Sequence, residues 1–581
     1  MTATEALELE ARRAALLNAV RHEGKADVAA VIGRLLGAHP ELRQKAPDIR
    51  TLVARVIDEV NAMSPADQEK VIQERWPEEL AREKPKSERG LPPLPNVDNY
   101  PKIVTRFSPN PDSVLHLGNA RAVILSHDYA RKYSGTFILR FEDTDPRLKK
   151  AALQYYDLIR DDLKWLQCSW DQEYLQSDRL EVYYQYAEEL IRKAAAYVCE
   201  CAPEDFKQLI EAGRACPCRN IPPDHNLARW RGMLEGKYEE GEAVVRVKTD
   251  LDHPNPAVRD WPALRVIDTE KYPHPRVGSK YRVWPLYNMA CGVDDHLMAI
   301  SHVIRGKEHL TNMERQKYLY KHLGWRYPDA IHYGRLRVIG MDLSKSKMMR
   351  ALEEGVYADL SDPRLGTLMA LRRRGITPQA LRVVVYEVGP RPVDATISWQ
   401  NVYAANRKII DPTARRFFFV DKPVYLSVSG VKNSRTVKVP VHPDHAEMGT
   451  REITVDAKDG ASRLLVSKGD MNLLKPGAIV RLMDLFNLKV NRADLDGVVG
   501  ELHSETYAEA RKVDAPLIHW LPELHNCKAT VVMPTAEQVE GFGEPALTTC
   551  QVNDIIQLVR FGFGRVDVAA KDSITIYFAH Q

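Results

Sequence analysis

Over roughly the first 88 residues, apolar side chains return every three or four positions. The runs Ala11–Val20 and Leu52–Val60 therefore predict helices. Ser64-Pro65-Ala66-Asp67 predicts another helix start, with a capping serine, a proline at the first position and an acid in the first turn. Polar residues take over from Ala81 to Gly90. The proline-rich LPPLPNVDNYP, Leu91 to Pro101, then marks a boundary.

From Lys102 the period changes. KIVTRF reads as a strand, GNARAVILSHDYARKY as a helix with Ala120, Val123, Ile124 and His127 along one side, and TFILRFED as a second strand. Strand, helix, strand in about forty residues is a βαβ unit of a parallel sheet. Helices are expected over about 149–166 and 181–197. Residues 198–281, rich in Cys, Pro and Gly with short strands such as AVVRVKT, read as an insertion. Alternating α/β character returns in HLMAISHVIRG and IHYGRLRVI, and a helical stretch runs to about Gly389. After about Asn401 the texture is all-β, in short alternating segments such as RRFFFVDKPVYLSV, KATVVM and SITIYFAH, which predicts one or two barrels.

A chain of 581 residues is too long for one core, so several domains are expected. Hydrophobic residues at 44% and charged residues at 28% fit a soluble globular protein. No apolar run has the length of a membrane span. The start, MTATEALELEARRAALL, is acidic and helical, unlike a secretory signal, so a cytoplasmic protein is expected. Lys+Arg 82 against Asp+Glu 79, a net charge of +3, neither demands nor excludes nucleic acid. Eight cysteines in so long a chain point to a reducing compartment. Four are clustered as Cys199-Glu200-Cys201 and Cys216-Pro217-Cys218. Four thiolates close a tetrahedral zinc site, with His225 as an alternative ligand. The other reading is four reduced structural thiols.

Two strings carry the chemistry. His116-Leu117-Gly118-Asn119 opens the helix after the first strand, where an anion meets backbone N–H groups and the helix dipole. There is no P-loop string. MDLSKSKMM, Met341 to Met349, follows a strand-like segment and reads as a cationic arm able to neutralise phosphate charge.

H-L-G-N and L-S-K-S-K resemble the HIGH and KMSKS signatures of class I aminoacyl-tRNA synthetases. RFSPNPDSVLHLGNARAVILSHDYARKYSGTFILRFEDTDPR closely resembles the signature block of the glutamyl-tRNA synthetase family in its archaeal form. AYVCEC, YNMACGVDDHLMAISHVIRGKEHL and SWQNVYAANRKIIDP follow in the same order as in that family. The resemblance implies a multidomain α/β + β protein. A helical N-terminal domain would span 1–98. The Rossmann-type catalytic domain would occupy 99–197 and 282–350, interrupted by an acceptor-binding insertion at 198–281. A helical connecting domain would cover 351–400, and β-barrel anticodon-binding domains 401–581.

By the same resemblance, Arg106, Asn110, Glu142, Tyr287 and Arg305 bind L-glutamate. Arg106 and Arg305 surround its γ-carboxylate, Glu142 meets the amine, and Asn110 adds a neutral contact. The next polar position of the family falls at Cys291 here, and its role is not carried over. His116, Gly118, Asn119, Ser344, Lys345 and Ser346 bind ATP, with His116, Asn119 and Lys345 catalytic. Gly306-Lys307-Glu308-His309 resembles a segment near the ribose and adenine. Two positions depart from the family. Asn119 replaces a histidine and keeps only a neutral donor, and Asp342 stands at the first lysine of KMSKS, leaving Lys347 as a substitute charge. Mg²⁺ with ATP, and Zn²⁺ on Cys199, Cys201, Cys216 and Cys218, are the implied cofactors. tRNA-Glu is the implied partner, with tRNA-Gln left open, and a monomer without membrane contact is expected.

Leu371-Arg372-Arg373-Arg374 and Asn406-Arg407-Lys408 are candidate phosphate contacts. The alternatives are a glutaminyl-tRNA synthetase, against which E-D-T-D at Glu142–Asp145 speaks, and a catalytically inactive tRNA-binding paralogue.

Overall fold

The computed structural model describes residues 3–21, 24–28, 30–32, 35, 46–76, 90–339, 345–494 and 497–581. The polar stretch expected at 81–89 and the arm residues Met341–Ser344 lie outside them. The chain divides into two compact units, Met1–Gly90 and Leu91–Gln581.

The first unit contains helices α1 (Ala3–Arg21), α2 (Ala46–Asn61) and α3 (Pro65–Arg75). Alanines at 11, 15 and 19 let α1 lie close to Val53, Val56 and Val60 of α2, all fully buried. Ser64 caps α3 as its sequence predicts, accepting from the Asp67 N–H at 3.2 Å. The buried Gln68 amide donates to Gly24 O at 2.9 Å and Val60 O at 2.8 Å, satisfying carbonyls where the helices end.

In the second unit, strands β1 (Val104–Phe107), β2 (Thr136–Phe141) and β3 (Gln172–Leu175) pair in parallel, in that order. Helix α4 (Leu117–Lys132) crosses from β1 to β2, and α5 (Leu153–Trp165) from β2 to β3. β2 is buried at all six positions, as a central parallel strand must be. Helix α6 (Leu180–Arg192) leads to an antiparallel sheet of β4 (Ala196–Cys199), β5 (Val244–Val247), β6 (Pro262–Val266) and β7 (Val283–Pro285), with helices α7 (Pro203–Glu211) and α8 (Pro223–Leu234) between β4 and β5. This sheet is the insertion; its outer strands begin before 198 and end after 281.

The chain then returns through α9 (Tyr287–Leu297), β8 (His302–Gly306), α10 (Leu310–Leu323) and β9 (Asp329–Tyr333), with β8 and β9 parallel. Ser301 joins the two halves: its N–H donates to Val104 O at 2.9 Å, and its hydroxyl accepts from the Val104 N–H at 2.8 Å. The strand order is therefore β3-β2-β1-β8-β9. The order reverses between β1 and β8, the place where doubly wound sheets bind ligands at the carboxyl ends of their strands. Arg106 and Arg305 stand at those ends.

The proline-rich segment from Leu91 docks on this unit. Leu91 and Leu94 are buried in its core, and Pro95 O accepts from His302 Nε2 at 2.8 Å. β10 (Leu336–Val338), α11 (Lys345–Glu353), α12 (Leu368–Arg374), α13 (Pro378–Val388), β11 (Ala395–Ile397) and α14 (Trp399–Ile410) follow. The all-β texture expected from Asn401 thus starts later, at Arg415. Ser398 and Asn401 form a capping box, and Val402, Asn406 and Ile410 are buried at four-residue spacing, which makes a helix of that stretch.

Two barrel-like sheets of seven strands complete the chain. Phe419, Val531 and Ile576 lie in the core of one, and Val480, Leu488 and Trp520 in the core of the other. The basic run at Leu371–Arg374 is largely spent on this junction. Arg373 pairs with Asp567 at 2.9 Å, and the buried Arg374 donates to Ala579 O at 3.0 Å. Asn406 is also buried, so of these two runs Arg372, Arg407 and Lys408 keep surface to offer a phosphate. No helix among the described residues is long and apolar enough to cross a membrane.

Candidate active site

The mouth of α4 is held by its own side chains. His116 is the N-cap; its Nδ1 accepts from the Gly118 N–H at 2.9 Å, while Asn119 Oδ1 accepts from the His116 N–H at 3.1 Å. Leu117 N–H donates to Gly366 O at 3.0 Å, and Asn119 N–H to His116 O at 2.9 Å. The expected outward-facing backbone donors are therefore already used. What remains is different: with Nδ1 accepting, the His116 proton sits on Nε2, and with Oδ1 accepting, the Asn119 NH₂ is left to donate. Burial pushes the His116 pKa down to about 4, so the ring is neutral at physiological pH. The mouth offers two neutral donors on top of a helix dipole.

Beside it lies a buried cluster of charge. Arg106 reaches Asp295 through Nε at 3.1 Å and Nη2 at 3.2 Å. Arg140, which the sequence reading passed over, donates to Asp295 at 2.8 Å and to Glu142 at 3.0 Å. Cys291 sits under both arginines, 3.4 Å from Arg140 Nη2 and 3.7 Å from Arg106 Nη2, and burial pushes its thiol up to about 12. Asp295, held between two guanidinium groups, is driven far below the ordinary carboxylate range. Glu142 goes the other way, because desolvation outweighs the pull of Arg140 and Arg106. Arg106 is thus a clamped cation rather than an open one. Asn110 keeps a buried Oδ1 without a partner among the described residues.

Arg305 is set differently. It is 5% exposed, and all its partners are neutral: Gln316 Oε1 at 3.2 Å from both Nη1 and Nη2, the Tyr327 hydroxyl at 3.0 Å, His332 Nε2 at 3.3 Å and the Tyr287 hydroxyl at 3.4 Å. Burial and the cation itself push His332 down to about 4, so this partner carries no charge. Tyr287 packs against His309 in a tilted pair with ring centroids 5.4 Å apart, and the same forces hold His309 near 4. Arg106 and Arg305 thus stand at the carboxyl ends of β1 and β8, and His116 caps the helix that follows β1. Lys345 and Ser346 open helix α11, and Ser344 lies outside the described residues.

In the insertion, the four cysteines meet. Cys199 Sγ lies 4.0 Å from Cys216 Sγ and Cys201 Sγ 3.8 Å from Cys218 Sγ, and all four sulfurs fall within 4.8 Å of one another. A tetrahedral Zn–S₄ site with bonds of about 2.3 Å has edges of about 3.8 Å, so the donor set fits zinc. His225 is not part of the group.

A parallel sheet of this order, with an arginine-lined recess at its switch point, is the arrangement of a doubly wound ligand-binding α/β domain. The family model for the catalytic domain of class I tRNA synthetases (E and Q) matches residues 102–412, and models of the family's anti-codon binding domain match 414–507 and 517–567. The chain is 49% identical over 572 residues to a glutamate–tRNA ligase of Thermococcus kodakarensis, covering 98% of each chain. It is 48% identical to that of Thermococcus onnurineus, again over 98% of each, and 47% identical to that of Pyrococcus furiosus, over 99% of this chain and 100% of the other. The chain belongs to the class I tRNA synthetases of the E and Q family.

Proposed function

We propose that the protein is a glutamate–tRNA ligase, which activates L-glutamate with ATP and passes the glutamyl group to tRNA-Glu. The observation that carries the choice of amino acid is Arg305, a buried guanidinium whose partners are all neutral, at the end of β8. Such a cation is matched by a γ-carboxylate and wasted on a γ-amide. Glu142, pinned by Arg140, suits the α-ammonium. Full-length identity near one half with relatives named for this activity supports the same reading.

The chemistry is positioning and charge stabilisation. The α-carboxylate attacks the α-phosphorus of ATP; a P–O bond forms and the bond to pyrophosphate breaks. ATP enters with Mg²⁺ on its phosphates. His116 Nε2 and the Asn119 NH₂ donate to those phosphates, and Lys345 meets the charge that grows on the leaving group. The mixed anhydride then gives its acyl group to the 2′-hydroxyl of the terminal adenosine, and AMP leaves. Lys345→Ala is expected to lower the rate of adenylate formation by about 10²–10³, as loss of one preorganised donor does elsewhere. A single-turnover rate equal to that of the wild type removes the arm from this scheme.

The insertion grips the acceptor end, and the barrels read the anticodon as unstacked bases. Cys199, Cys201, Cys216 and Cys218 would hold Zn²⁺, which would cross-link the two ends of their segment of the insertion. Freshly purified protein is expected to hold one zinc per chain, and Cys218→Ser to lose it; a metal-free, active preparation contradicts this.

The deciding experiment is aminoacylation with glutamate or glutamine, on tRNA-Glu and tRNA-Gln separately. Glutamate on tRNA-Glu is expected. Charging with glutamine overturns the proposal, and charging of tRNA-Gln with glutamate adds a second acceptor to it.

A further inference from the structure

We propose that Gln316 is a specificity-determining residue of this enzyme: a neutral positioning group that aims Arg305 while leaving its charge for the substrate. The inference rests on the reading of Arg305 as the γ-carboxylate site. Gln316 lies on α10, outside the signature strings, and is fully buried. Its Oε1 accepts three hydrogen bonds, from Arg305 Nη1 and Nη2 at 3.2 Å each and from the Tyr327 hydroxyl at 2.8 Å. An oxygen that takes both terminal nitrogens of a guanidinium fixes the plane of the fork.

The other end of the amide is the telling part. Gln316 Nε2 is buried and has no hydrogen-bond partner among the described residues. A buried orphan donor is costly. Glutamate, of nearly the same shape, removes that orphan, accepts the same three donors and neutralises a buried cation. By every local criterion of stability a glutamate belongs at this position. Nearby, the fold does supply such acids: Asp295 and Glu142 are set against Arg106 and Arg140. Of the arginines in this cluster, Arg305 is the one with no carboxylate set against it among the described residues. The count explains why. Arg106, Arg140, Arg179 and Arg305 face Glu142, Asp294 and Asp295, so the cluster has one positive charge over, and the group oriented by Gln316 carries it. A resident carboxylate at 316 takes the place that the γ-carboxylate of the substrate needs. An incoming γ-amide does not require that charge, so discrimination against glutamine is set here.

The test uses the full chain with tRNA-Glu, measuring pyrophosphate exchange with L-glutamate and with L-glutamine. Gln316→Glu is expected to lower kcat/KM for glutamate about a hundredfold, mostly through KM, with KM for ATP unchanged and the glutamate-to-glutamine preference reduced at least about tenfold. Its melting temperature is expected to equal or exceed that of the wild type. Gln316→Met keeps the volume and the charge of Arg305 but loses the aim; KM for glutamate rises about tenfold while the preference ratio holds. Wild-type KM and preference in Gln316→Glu overturn the proposal. If that variant does not fold, an unchanged KM for glutamate in Gln316→Met overturns it instead. A wild-type enzyme that fails to use glutamate defeats the functional reading itself, a result separate from either variant.

Discussion

Arg305→Met is expected to cut kcat/KM for glutamate by about two to three and a half orders of magnitude, with KM for ATP unchanged. The estimate follows from what is removed. Arg305 is buried beside Tyr287, Gln316, Tyr327 and His332, none of which is charged. Without the guanidinium, a γ-carboxylate enters a desolvated recess with no cation aimed at it. Breaking a buried ion pair from one side costs about 3–5 kcal/mol, and each 1.4 kcal/mol is a factor of ten. The fold responds in the opposite sense. An uncompensated buried charge opposes folding, so Arg305→Met melts at the wild-type temperature or above. Losing activity while holding or gaining stability separates a ligand-binding charge from a structural one. Pyrophosphate exchange with glutamate and a thermal melt read both, and kcat/KM within threefold of the wild type excludes Arg305 from the site.

The route to that site was partly legible in the sequence. TFILRFED could be read as a strand because its apolar run is short and follows a turn, and the structure buries all six residues of TFILRF. H-L-G-N and the arginine closing HVIRG could be found because strand ends and helix starts are local features. The readings failed where tertiary partners changed the meaning of a residue. β3, QEYL, is half exposed and carries Gln and Glu, so its pattern is not that of a parallel strand until it is set beside β2. Helix α9, YNMACGVDDHL, hides its period because Asp294 and Asp295 are buried as deeply as its apolar residues, each satisfied by arginine. Arg140 sits within an apolar run, where nothing marks a buried cation as part of a site. The helix mouth was placed correctly, but its backbone donors were not the free ones. Their use by His116, Asn119 and Gly366 depends on a strand-like contact with residues some 250 positions away.

The largest effect on the fold is expected at Asp295. It is 3% exposed and accepts from Arg106 at 3.1 and 3.2 Å and from Arg140 at 2.8 Å. Asp295→Asn preserves shape and removes one charge. Two guanidinium groups are then left with Glu142 at 3.0 Å from Arg140 and Asp294 at 4.0 Å from it, and one amide N–H₂ is turned toward donors that cannot accept. A cost of about 3–5 kcal/mol is expected, read as a lower urea midpoint for the catalytic unit. The pH dependence tests the cause. The native carboxyl is held well below its ordinary value of 3.8, so its contribution is complete above the unfolded pKa and is lost as the pH falls below it. The wild type should therefore exceed Asp295→Asn by a constant margin from pH 8 to about 5. The margin should shrink only once the unfolded chain begins to take up the proton, near and below pH 4. An equal midpoint at neutral pH, or a margin that narrows between pH 8 and 6, shows that Asp295 is not the counter-ion on which the two arginines depend.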